Sequence, residues 1–110
     1  MKRQIRVTER QNQSFITGIR DGAVIGYKYF EFFGTSCLGL ELRGSLNGTI
    51  TVAHDEAGKE VIGAIELNMA QNNWQMILVP ISPESGSHAL YLLYEGTGEW
   101  EFKTFCFFTE

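Results

Sequence analysis

Basic residues are scarce in this chain, and helical periodicity is scarcer. Nine Lys and Arg stand against 13 Asp and Glu in 110 residues, a formal net charge of −4. Tracking nucleic-acid phosphates requires clustered cations, so this balance argues against that class of partner and suits a neutral ligand better. Four of the bases, Lys2, Arg3, Arg6 and Arg10, crowd the first ten positions. No apolar run of signal-peptide or membrane-spanning length follows them, so no targeting or spanning segment is expected. Cysteine and histidine are equally sparse: Cys37, Cys106, His54 and His88. No His lies near either Cys at a metal-ligand spacing, which argues against zinc. Whether the two thiols pair depends on a Cα separation that spacing does not reveal.

Aromatic residues are plentiful, with eight Phe, four Tyr and two Trp, and this favours β structure. The length is that of a single domain, 1–110, able to bury roughly 65% of its unfolded surface without help from a metal or disulfide. Period-two alternation runs through most of it. In "LGLELRG" (38–44) Leu38, Leu40 and Leu42 share one face while Glu41 and Arg43 face water, the mark of a half-buried strand. "TITVAH" (49–54) repeats the pattern, and Asn47-Gly48 between them is a strong hairpin signal because both residues accept positive φ. "EVIGAIEL" (60–67) follows a charged turn, "NMAQNN" (68–73) reads as a polar loop, and "WQMILVPI" (74–81) as the next strand. "ALYLLY" (89–94) is apolar on both faces and suits a central strand. "EGTGEW" reads as a turn into a last strand, "EFKTFCFF" (101–108), and "IRVT" and "VIGYKYFEF" add two strands upstream. Seven to nine short strands with no confident helix predict an all-β fold, a β-sandwich jelly roll of two antiparallel sheets.

Catalytic signatures are missing. The two histidines lie in turn-like segments without a nucleophile elbow, and Glu95, Glu99 and Glu101 read as solvated charges of a polar turn better than as a glycosidase pair. Trp74 differs in kind. It follows Asn72 and Asn73, so an indole opens a strand at a loop mouth beside amides. The apolar C–H face of a pyranose stacks on such a ring while its hydroxyls seek amide and carboxylate partners. On spacing alone, Trp74 fits a partly buried core position equally well. Trp100 alternates with Phe102 and is expected inside.

The order of segments resembles carbohydrate-binding module family 6, of the kind found at the C-terminus of glycoside hydrolase family 43 enzymes. The segments that carry it are "ITGIRDGAVIGYKYFEF" (Ile16 to Phe32), "NNWQMILVPI", "SGSHALYLLYEG" and "GEWEFKTFCF". The resemblance implies a non-catalytic module that binds plant cell-wall polysaccharide, xylan or arabinoxylan, beside a glycoside hydrolase domain in a secreted polysaccharide-degrading context. It places Trp74 at the family's clamp tryptophan, with Phe15 as the opposing aromatic and Asn72, Asn73 and Glu101 as polar partners. Glu101 departs from the family's ligand-fixing Asn, because an ionised carboxylate accepts and does not donate. A structural calcium is also implied, with Glu9 and Glu110 as its ligands. The alternative is an accessory domain of a family 43 glycosidase that has lost sugar binding.

Overall fold

The computed structural model describes the backbone of residues 4–7 and, in full, residues 15–109. Glu9 and Glu110, the expected calcium ligands, lie outside the described residues. Six antiparallel strands, and no helix among the described residues, make up the fold: β1 (Gln4–Val7), β2 (Ile16–Ile19), β3 (Val24–Phe32), β4 (Thr35–Ala53), β5 (Val61–Pro80) and β6 (Gly86–Thr109). β6 is the spine. One of its edges carries β3 along Gly86–Leu93, then β2 at Trp100 and Phe102, then β1 at Phe105–Phe108. Its other edge carries β4 throughout, from Thr35↔Thr109 to Ala53↔Tyr91, and β5 pairs with β4 beyond it.

The expected β-sandwich is present, built from one sheet that curls over itself. Phe30 of β3 pairs with His88 at the start of β6. Its ring nevertheless lies 5.7 Å from Phe105 and 5.4 Å from Phe107 near the end of the same strand. The two halves of β6 therefore face each other across the core. Leu38, Leu40 and Leu42 point inward as their alternation predicts, and Ile50, Val52, Leu90 and Phe102 join them, all buried. Trp100 is 1% exposed and packs edge-on against Tyr94 at 5.5 Å, as expected of a core indole, although its Nε1–H has no acceptor among the described residues. No disulfide joins Cys37 and Cys106.

Three of the expected turns do not exist. Asn47-Gly48 lies inside β4, 68–73 inside β5, and 95–100 inside β6. Asn47 pairs with Asn68 on one side and Thr97 on the other, so these segments run side by side. Positive φ at Gly44, Gly96 and Gly98 lets strands bend as readily as it lets them reverse. The turn chemistry bends long strands from one layer to the other. At the Asp21-Gly22 turn the expectation holds: Gly22 has φ +88° and Ala23 N–H donates to the Arg20 carbonyl at 3.0 Å.

His54 closes the loop after β5. It is 7% exposed and stacks on His88 at 4.4 Å with 22° between the planes. Its Nδ1 lies 3.0 Å from the Ala89 carbonyl, and its Nε2 accepts the Glu84 N–H at 3.2 Å. A carbonyl only accepts, so these partners assign a neutral ring with its proton on Nδ1. His54→Ala would leave both backbone groups without their partner and open a void, at a cost of about 2–4 kcal/mol. A thermal melt of this variant within a degree of the parent would show that the loop is held by something else.

Candidate functional site

Two irregularities in the sheet create a patch on the face opposite the core. Between Leu42↔Gln75 and Gly44↔Gln71 the β4–β5 ladder slips, so that Arg43 alone stands against Asn72, Asn73 and Trp74. Between Glu41↔Thr104 and Leu42↔Phe102 the β4–β6 ladder slips as well, and Lys103 is the extra residue. Such bulges bend a strand and re-aim its side chains. Arg43 sits between them, directly paired with Glu101.

The side chains converge on Trp74. The guanidinium carbon of Arg43 lies 4.2 Å from the centroid of the Trp74 ring, and the Lys103 ammonium lies 5.4 Å from it. Both cations are placed to feel the negative potential of the indole face. Phe15, 39% exposed, touches Trp74 edge to face with centroids 5.3 Å apart, and Arg43 is 5.3 Å from its ring as well. Arg43 Nε–H donates to Glu101 Oε1 at 2.5 Å, a charge-assisted contact with both side chains about a third exposed. One step along β6, Glu99 accepts from Arg20 at 3.1 Å on a more exposed part of the surface.

The structure thus brings together three of the five residues singled out for ligand contact: Phe15, Trp74 and, through Arg43, Glu101. Asn72 and Asn73 occupy the β5 bulge beside Trp74 and are exposed. The expected arrangement of Phe15 opposite Trp74 differs from the geometry. A pyranose stacked on two walls needs carbon contacts of about 3.5–4 Å on each side, so roughly 7 Å or more between the walls. The two rings instead touch each other, with the Arg43 guanidinium beside both. Arg43 was legible only as an outward-facing strand residue, and Lys103 only as part of the last strand. The signal that could have raised them is the shared parity of Glu101 and Lys103 on a strand that pairs with Arg43.

No family model matches the chain. The chain is similar, at 31% identity over 100 residues, to a xylosidase/arabinosidase from Thermoclostridium stercorarium, and this match covers 91% of the chain. The chain spans 21% of that relative's length. Among solved structures, an arabinoxylan arabinofuranohydrolase of glycoside hydrolase family 43 from Bacillus subtilis, in complex with cellotetraose, superimposes with a TM-score of 0.76 and 22% identity over 90% of this chain and 22% of that one. A family 6 carbohydrate-binding module from Clostridium cellulolyticum, in complex with xylose, gives a TM-score of 0.73 with 19% identity over 83% of this chain and 75% of that one. The chain has the fold of the family 6 carbohydrate-binding modules.

Proposed function

We propose that this chain is a non-catalytic carbohydrate-binding module that holds a plant cell-wall polysaccharide of the xylan or arabinoxylan type beside a glycoside hydrolase domain. The observation that carries the proposal is the surface at the two bulges, where a half-buried indole and an exposed phenyl ring lie beside charged hydrogen-bonding groups. Loops and bulges on a rigid β scaffold are where binding residues concentrate, and apolar surface next to directional polar groups is what a sugar ring requires. One structural neighbour is an arabinofuranohydrolase in complex with cellotetraose and another is a module in complex with xylose, and the similar region of the T. stercorarium protein belongs to a xylosidase/arabinosidase.

A second reading is favoured by one observation. Phe15 and Trp74 touch, and Arg43 lies over the indole, which is how a former sugar site looks once its own side chains have filled it. Under that reading the chain is an accessory domain that packs on a glycosidase and binds no sugar. Calorimetric titration with xylo-, arabinoxylo- and cello-oligosaccharides separates the two. Saturable heat with at least one series, strongest for the xylan-type ligands, is the expected result. Flat titrations with all three would leave the accessory role.

A further inference from the structure

The patch around Trp74 inverts the charge of the molecule. The whole chain has four more acids than bases, yet two cations and one carboxylate face this indole and its neighbour: Arg43, Lys103 and Glu101. Glu101 is engaged by the Arg43 Nε–H alone. A guanidinium carries five N–H donors in a fixed fork, so the outer Nη edge retains four. Among the described residues none of these has an acceptor within hydrogen-bond distance, and the Lys103 ammonium has no carboxylate within ion-pair distance. The patch therefore carries a net positive charge and unused charged donors, beside the remaining acceptor sites of Glu101 and the exposed amides of Asn72 and Asn73. A neutral sugar hydroxyl can accept from these donors, but it brings no charge of its own to meet them. A carboxylate only accepts, and an Arg fork holds it with two parallel bonds that are shorter and stronger than neutral ones.

From this we infer that the site selects acidic sugars: a uronate whose carboxylate is held by the Arg43 Nη edge and the Lys103 ammonium, with its pyranose ring lying on the Phe15–Trp74 surface. The inference rests on the proposed sugar-binding role and specifies its ligand class. It also gives Arg43 a function that a filled, inactive site would not need. Both cations lie within 5.4 Å of the Trp74 ring centroid. Glu101 engages the guanidinium through Nε and leaves the Nη donors unused by that contact.

Three ligands test it by calorimetry: xylotriose, xylotriose with a glucuronate branch, and the same branched sugar with its carboxyl reduced to an alcohol. The glucuronate form is expected to bind about tenfold tighter than its reduced counterpart, as two charge-assisted bonds warrant. The preference should shrink as salt rises from low to about 0.5 M, where charges are screened within a few ångström. Lys103→Gln should bring the acid-over-reduced ratio down to near two, and Lys103→Arg should keep it; melts of both variants establish that they are folded. Equal binding of the acid and its reduced form, or a preference that survives Lys103→Gln, would overturn the inference while leaving sugar binding intact. Silence with all three ligands would overturn it together with the sugar-binding role.

Discussion

Gly98→Ala is expected to destabilise the fold by about 3 kcal/mol or more and to lower the melting temperature by roughly 10 °C or more. Gly98 sits in β6 opposite Leu46, with φ +89°. A Cβ there would stand 2.0 Å from the Ser45 carbonyl oxygen and 3.1 Å from the Leu46 Cα. Two costs add. The left-handed backbone costs an alanine about 1–2 kcal/mol, and the atoms it meets are main chain of a paired strand, which cannot rotate away as a side chain would, for about 1–3 kcal/mol more. Gly34 provides the control, because its φ is +68° and nothing lies within 4 Å of the added carbon. Gly34→Ala is expected to cost only the backbone part, about 1 kcal/mol. Chemical denaturation of the pair measures the difference. Equal midpoints would mean that β4 and β6 do not approach each other closely at the bend, and the curled-sheet architecture would need revision there.

The same glycines show what the sequence did and did not make legible. Alternation at Leu38, Leu40 and Leu42 located the core face of β4 because burial of one sheet face imposes a period of two whatever the partner strands are. The inward Trp100 followed from the same rule. Asn47-Gly48 and the Gly96 to Gly98 segment were read as reversals because positive φ is needed in a tight turn. It is needed equally where two strands bend together, and only the partner distinguishes the cases. Asn47 faces Asn68 and Thr97, 21 and 50 positions away. Local chemistry is silent at that range. The site divides along the same line. Trp74, Phe15 and Glu101 could be singled out by type and position, whereas Arg43 looked like any outward residue of a half-buried strand. Its importance comes from two register slips and from a carboxylate 58 positions along the chain.

Trp74→Ala is expected to weaken oligosaccharide binding about thirtyfold, the loss that follows when an aromatic anchor worth about 2 kcal/mol is truncated. The structure sharpens what should happen to stability. Trp74 is half-buried and contacts Phe15, Arg43 and Lys103. Losing an edge-to-face ring pair and exposed cation–π contacts costs roughly 1–2 kcal/mol in all. Trp100 is the internal comparison, since at 1% exposure its truncation should cost about 3–5 kcal/mol of folding free energy. The two variants are therefore expected to separate: Trp74→Ala loses ligand and melts slightly early, whereas Trp100→Ala melts far earlier and, where still folded, retains the binding surface. Calorimetric titration and thermal melts on both decide the matter. Undiminished binding by Trp74→Ala would move the sugar site away from the bulges, and a melt as depressed as that of Trp100→Ala would make the indole a packing residue whose cations serve the fold. Reduced binding with a nearly intact melt places the ligand on the indole, because no other change links this side chain to a sugar while leaving the core undisturbed.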